Sequence, residues 1–192
     1  MNKDLEHYIL YKNNFLNDNF CTDIIINLEK KKWVKHEWYR AHTDKHYHES
    51  KEMEPETIED FNDEIFYINN IIIKKLRDTL KEYINRLELE WFNSWTGYSS
   101  IKFIKYSVGQ TMSNHYDGIE SLFDGKRKGI PTLSIIGTLN DNYEGGEFVI
   151  CEDKKIDMKT GDLIIFPSNF LYPHKVDPVT NGIRYSYVSW TW

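Results

Sequence analysis

The segment Ser113-Asn114-His115-Tyr116-Asp117-Gly118 puts an imidazole and a carboxylate two residues apart. On a strand, side chains at i and i+2 share a face, so His115 and Asp117 can converge on one point while Tyr116 points away. A His-x-Asp pair is common and carries little by itself. A third donor must come from elsewhere in the chain. His174 is the best candidate: it stands in Pro173-His174-Lys175-Val176, after the apolar run Leu163–Phe166, where a strand would return across a small barrel. Two histidines and one carboxylate on one side of a metal suit non-haem iron(II). They leave three positions open, two for a chelating oxo-acid and one for O2. A closed four-ligand site would leave no such room. His115, Asp117 and His174 are therefore the candidate metal ligands and the candidate catalytic centre.

Weight is added by Arg184, which follows His174 after the turn-like stretch Asp177-Pro178-Val179-Thr180-Asn181-Gly182. It opens a last strand on which Arg184, Ser186, Val188 and Trp190 share one face. An inward arginine is costly unless it meets an anion. A dicarboxylate chelating iron at its near end would present its far carboxylate there, and the planar guanidinium can hold it through two hydrogen bonds. Ser186 adds a hydroxyl to the same face. The denser cluster of His42, His46 and His48 lies in a charged segment without apolar periodicity. It reads as a solvated loop, with a secondary zinc site as the lesser alternative.

These groups need a scaffold, and the chain has two textures. Residues 1–95 hold few turn signals and two helix-like stretches. The first is about Asp18–Lys32, with Asp18 as the expected N-cap and Phe20, Ile24, Ile25 and Leu28 at helical spacing. The second is about Asp63–Glu90, where Ile65, Ile68, Ile72, Leu76, Leu80, Tyr83, Ile84 and Leu87 form one face of a long amphipathic helix. From Tyr98 onward, short apolar or alternating runs are broken by Gly, Pro, Asn and Asp. They predict strands near 100–108, 112–117, 131–139, 146–151, 154–158, 162–166, 171–176 and 183–191. Turns are expected at Glu144-Gly145-Gly146 and Thr160-Gly161-Asp162. The expected fold is mainly β with N-terminal helices (α+β), in one domain over 1–192: a sandwich or barrel core over 98–192, with 1–97 as mainly helical support packed outside it.

The chain has 192 residues and a net charge of −6, so a basic nucleic-acid-binding surface is not expected. With 40% hydrophobic and 15% aromatic residues it is not a disordered composition. No apolar run reaches the length of a membrane span, and the start MNKDLEHYILYKNNF lacks a signal core, so a cytoplasmic location is expected. Cys21 and Cys151 are too few for a disulfide framework and read as free thiols. Abundant Lys, Asn and Ile are compatible with an AT-rich genome, viral or bacterial, and composition does not decide the source. Oligomeric state leaves no signal in the sequence.

At the level of motifs the chain resembles the prolyl 4-hydroxylase-like branch of the Fe(II)/2-oxoglutarate dioxygenases. The resemblance spans about residues 98–192. It rests on Tyr106-Ser107-Val108-Gly109-Gln110 followed by His115-Tyr116-Asp117, then Tyr143-Glu144-Gly145-Gly146-Glu147-Phe148, Gly161-Asp162 with Phe166-Pro167-Ser168, and His174 through Gly182 to Arg184. It implies a double-stranded β-helix (jelly-roll) core, iron at His115, Asp117 and His174, and Arg184 at the far carboxylate of 2-oxoglutarate. It further implies Tyr106 as a hydroxyl donor to that co-substrate, Thr138 as another polar contact and Trp190 as an aromatic near the pocket. O2 is the second co-substrate and ascorbate a candidate reductant. The implied reaction is hydroxylation of a C–H in a substrate, a peptidyl proline or other peptide residue before a free small molecule. Related halogenating enzymes have a small residue at the carboxylate position, so Asp117 argues for hydroxylation. Many members acting on collagen-like proline have Lys in place of Arg184, which loosens the link to that substrate. The segment Ser121–Ile130, with Asp124-Gly125-Lys126-Arg127-Lys128-Gly129, falls where the family has a mobile loop near the substrate; a solvated loop is the competing reading. A non-catalytic cupin-like or lectin-like binding module that keeps a metal, and a zinc hydrolase using the same ligands, remain open as alternatives.

Overall fold

The structure, a computed structural model, describes residues 3–40, 45–58, 62–89, 95–117 and 131–192. Its N-terminal half carries α1 (Lys3–Glu6), β1 (Leu10–Lys12), α2 (Asp18–Leu28), β2 (Trp33–Lys35), β3 (Trp38–Arg40), β4 (Lys45–Tyr47), β5 (Glu56–Ile58) and α3 (Asp63–Leu87). The C-terminal half carries β6 (Lys102–Tyr106), β7 (Met112–His115), β8 (Leu133–Thr138), β9 (Glu144–Gly145), β10 (Phe148–Ile150), β11 (Lys154–Ile156), β12 (Leu163–Pro167), β13 (His174–Val176), β14 (Val179–Asn181) and β15 (Arg184–Thr191). One antiparallel sheet runs β1-β12-β8-β15-β6-β5-β2, and a second runs β11-β10-β13-β7. The fold is mainly β.

The helices form where the apolar steps require them. α3 buries Ile65, Ile68, Ile72, Leu76, Leu80, Tyr83 and Leu87, which recur every three or four residues. Asn62 caps its start by accepting from the Ile65 amide, and Glu88 ends it in the left-handed conformation. α2 is capped by Asn17, whose side chain accepts from the Phe20 amide at 2.8 Å, and not by Asp18 as expected. Asp18 is already helical; its negative charge complements the exposed amides of the first turn instead.

Residues 1–97, read as mainly helical, also supply five short strands. β1 pairs with β12 at one sheet edge, while β5 pairs with β6 and β2 closes the other edge. Each is three residues long, too short for an alternation to stand out in sequence. β14 falls inside the stretch read as a turn after His174 and pairs with β9. The strand expected over 112–117 ends at His115, which leaves Asp117 in irregular chain.

Two cores result. One lies between α2, α3 and one face of the seven-stranded sheet, from which Phe103, Ile135, Leu163, Tyr185 and Tyr187 project. The other lies between the sheets, joining Ile104, Tyr106, Ile136, Ile164 and Phe166 to Met112, Phe148, Ile150 and Val176. Each fully buried Ile or Leu contributes about 1.5–3 kcal/mol. Cys21 and Cys151 are both buried and free. Among the described residues, no helix is long and apolar enough to cross a membrane.

Candidate metal centre

Strand register builds the site. β13 and β7 pair with His174 directly opposite His115, and the two rings stand 4.4 Å apart between centroids. His115 Nδ1 lies 2.7 Å from the Ser113 carbonyl and His174 Nδ1 lies 3.1 Å from the Tyr172 carbonyl. A carbonyl only accepts, so each Nδ1 carries the proton and each Nε2 offers a lone pair. Both Nε2 atoms point at Asp117 Oδ1, each at 3.8 Å. The other carboxylate oxygen, Oδ2, accepts from Trp190 Nε1 at 2.9 Å and from the Ser134 hydroxyl. Trp190 and Ser134 are themselves cross-strand partners on β15 and β8, so the sheet aims Asp117 although no strand holds it.

The three donors lie within 4.8 Å of one another, the one such group of His, Cys, Asp and Glu among the described residues. Metal–ligand bonds of about 2.1 Å bring donors on a shared ion to within about 4.2 Å of each other, so the 3.8 Å spacings fit a cation between them. Burial, then the neighbouring His174, pushes His115 down to about 4, so its ring is neutral at ordinary pH and able to ligate. Burial alone would raise Asp117. His174 and His115 beside it, with the Ser134 and Trp190 hydrogen bonds, outweigh that and hold the carboxyl below its ordinary value.

A second polar cluster adjoins the metal group. Arg184 is 1% exposed and stands opposite Tyr106 across β15 and β6, its guanidinium 5.0 Å from the Tyr106 ring centroid. Its NH1 donates to Ser186 Oγ at 2.9 Å, and among the described residues its Nε has no hydrogen-bond partner. A buried cation with unmet donors is costly to fold, and an anion would satisfy it. Gly146, at φ +63°, makes the space: a Cβ there would lie 3.2 Å from Arg184 Cδ and 2.9 Å from Val179. Thr138 sits opposite Ser186 and turns its hydroxyl to the Met158 sulfur at 3.6 Å.

The pocket over the metal group is lined by His115, Asp117, His174, Tyr106 and Trp190, and also by His36, Trp38 and Lys102. The last three did not stand out in the sequence. Trp38 packs edge-on between His36 and His115, with 5.1 Å between centroids on each side. Lys102 Nζ lies 3.1 Å from His36 Nδ1. Burial, then Lys102, drives His36 down to about 3, so its ring is neutral and accepts from the ammonium. Lys102 itself is lowered to about 8 by burial and remains largely charged at neutral pH. Its sequence signal was parity: it shares with Ile104 and Tyr106 the inward face of β6. Tyr116, read as pointing away, is 55% exposed and still borders this pocket.

His46 and His48 lie near Glu37 at 3.8 and 3.6 Å, and His48 Nδ1 engages the Glu54 carboxylate. They lie around carboxylates and are not part of a converging ligand set among the described residues. His42 and the segment 121–130 lie outside the described residues.

Within this mainly β fold two histidines and a carboxylate converge as a 2-His-1-carboxylate donor set able to hold a metal ion. Residues 101–192 match the 2OG-Fe(II) oxygenase superfamily. The chain is 34% identical over 96 residues to a PKHD-type hydroxylase of Methylobacterium nodulans and 41% identical over 98 residues to one of Aliarcobacter butzleri. These matches cover 46% and 47% of the chain and 41% of each relative, so the chain spans about two fifths of the length of the curated relatives it matches. The fold is similar to a prolyl hydroxylase from Trichoplax adhaerens in complex with a hypoxia inducible factor peptide (TM-score 0.66, 20% identity, covering 97% of this chain and 84% of that one). It is also similar to a viral collagen prolyl hydroxylase from Paramecium Bursaria Chlorella virus-1 (TM-score 0.60, 18% identity, 96% and 94% covered). The C-terminal half of the chain is thus similar to the 2OG-Fe(II) oxygenase superfamily, and its fold to that of prolyl hydroxylases.

Proposed function

We propose that this chain is an Fe(II)- and 2-oxoglutarate-dependent dioxygenase that hydroxylates a C–H bond of a peptide or protein residue, prolyl or other, with release of succinate and CO2. The observation that carries the reading is Arg184: a fully buried guanidinium with an unmet Nε, on the strand that also supplies Trp190 to Asp117. A binding module or a zinc hydrolase gives that cation nothing to do. A dicarboxylate held at the metal gives it a partner.

His115, Asp117 and His174 would hold the iron. Arg184, with Ser186 beside it, would bind the far carboxylate of 2-oxoglutarate, and Tyr106 would cover it; Thr138 is adjacent, with its hydroxyl turned to Met158. When bound, iron and 2-oxoglutarate supply the oxidising chemistry, in which O2 yields one oxygen atom to the substrate and one to succinate. The chain's own share is to fix ligand orientation and to keep the site dry. The Ser113 and Tyr172 carbonyls lock the imidazole tautomers, while Ser134 and Trp190 leave one Asp117 oxygen free to ligate. Ile104, Ile136, Phe148 and Val188 give the pocket apolar walls.

The core would be a jelly-roll over 98–192, with α2 and α3 serving as its support in a single domain. A cytoplasmic setting and ascorbate as reductant complete the proposal. The test is succinate release with iron(II), 2-oxoglutarate and O2, joined to a mass-spectrometric screen of candidate peptides for a gain of one oxygen. Wild type should give both and His115→Ala neither. Full succinate formation in the variant would end this assignment.

A further inference from the structure

Arg184 and Lys102 are two cations at opposite ends of one face. On β6, Tyr106 is paired with Arg184 and Lys102 is paired with Val188. Four residues of strand separate them, about 13 Å. On the 2-oxoglutarate reading, Arg184 marks the end of the site that takes the far carboxylate. Lys102 lies toward the other end, beside Trp38 and His36, and lines the same pocket as the metal group.

Lys102 has no anion of its own among the described residues. Among the described residues its ammonium makes one hydrogen bond, to the neutral His36 ring, and no carboxylate stands within ion-pair distance. The nearest relevant acid, Asp117, is already committed. One oxygen accepts from Ser134 and Trp190, and the other faces the two ligand imidazoles. Charge bookkeeping gives the same answer. Iron(II), Asp117, Arg184 and a 2-oxoglutarate dianion balance one another, and an imidazole that ligates a metal adds no charge. Lys102 leaves one positive charge over in a pocket with apolar walls, where an unpaired charge is expensive.

We propose that Lys102 is a specificity-determining residue, oriented by His36, that binds a carboxylate of the primary substrate, so that the oxidised C–H lies near an acidic function. The inference rests on the 2-oxoglutarate reading of Arg184. The carboxylate comes either from an acidic side chain next to the oxidised residue or from a free chain terminus. A purely structural lysine, holding His36 and the β2–β3 segment in place, would be indifferent to substrate charge.

The test uses the full chain with iron(II) and 2-oxoglutarate under anaerobic conditions, where binding occurs without turnover. The probe is an unbiased library of short peptides, made in two sets, one with free carboxyl ends and one with amidated ends. Wild type and Lys102→Arg should retain acidic peptides over matched neutral ones by about tenfold, as a charge-assisted hydrogen bond allows. Lys102→Met should lose that preference and Lys102→Glu should reverse it toward basic peptides. Retention confined to the free-carboxyl set assigns the terminus; retention in both sets assigns a side chain. The visible absorption of the iron–2-oxoglutarate complex is recorded on the same samples. If wild type shows that band but all variants retain the same peptides, or none are retained, the Lys102 inference is overturned alone. If wild type shows no band, the 2-oxoglutarate reading falls and this inference with it.

Discussion

The seven-stranded sheet has two unlike faces. On β15, Tyr185 and Tyr187 turn toward α2 and α3 and join a core made almost wholly of Ile, Leu and aromatic side chains. The alternate residues, Arg184, Ser186 and Trp190, turn toward the second sheet and carry hydrogen bonds or charge. One face is packed for stability. The other accepts buried polar groups whose cost a bound ligand would offset. The period-2 alternation of a strand lets one element serve both purposes without compromise.

That contrast is most open to attack at Arg184. Arg184→Met should weaken 2-oxoglutarate binding by about 100-fold or more, since a buried charge pair broken on one side costs about 3–5 kcal/mol. The same variant should unfold no more easily than wild type when 2-oxoglutarate is absent, because it removes an unsatisfied cation. Isothermal titration and urea melts read the two effects separately. A variant that loses stability in step with affinity would show Arg184 to be structural. The opposite face should answer in the opposite way. Ile72→Ala on α3, fully buried, should cost about 2–5 kcal/mol of stability and leave 2-oxoglutarate affinity unchanged in the folded fraction.

How much of this was readable in the sequence follows from the length of each signal. α3 repeats its apolar step through 25 residues, so its start at Asp63 and its buried face could be read directly. His115 and Asp117 were readable as a close pair and Arg184 as the start of an alternating strand, although β7 ends at His115 and it is Ser134 and Trp190, not strand parity, that aim Asp117. β2, β5 and β14 were not, because three residues cannot show a period. The N-cap was missed because Asn17 and Asp18 are both good caps and only backbone geometry chooses between them. His36 and Trp38 reach the pocket from the N-terminal half through tertiary packing, which leaves no local pattern.

Two smaller effects sharpen the contrast. Trp190→Phe keeps the aromatic surface but removes the Nε1 donor to Asp117. It should cost about 10–100-fold in metal affinity, measured by competition with a chelator, with little change in melting temperature. Unchanged metal affinity would mean that Ser134 alone orients the carboxylate. The weakest effect is on acid stability. His36 is held at about 3 against 6.5 when unfolded, first by burial and then by Lys102. The unfolded chain therefore takes up the proton first, so this contribution is complete above about 6.5 and is lost as pH falls toward about 3. His36→Gln should flatten the fall of the urea midpoint over that range. An identical slope in the variant would remove His36 from the account.

The central claim is that one buried arginine and three metal ligands form a single site. Anaerobic addition of 2-oxoglutarate to the iron(II)-loaded protein tests it most directly. The expected result is a visible charge-transfer band that saturates with wild type and needs far more 2-oxoglutarate with Arg184→Met. A wild-type protein that binds iron yet shows no band, or a variant that saturates at the same concentration, would contradict it.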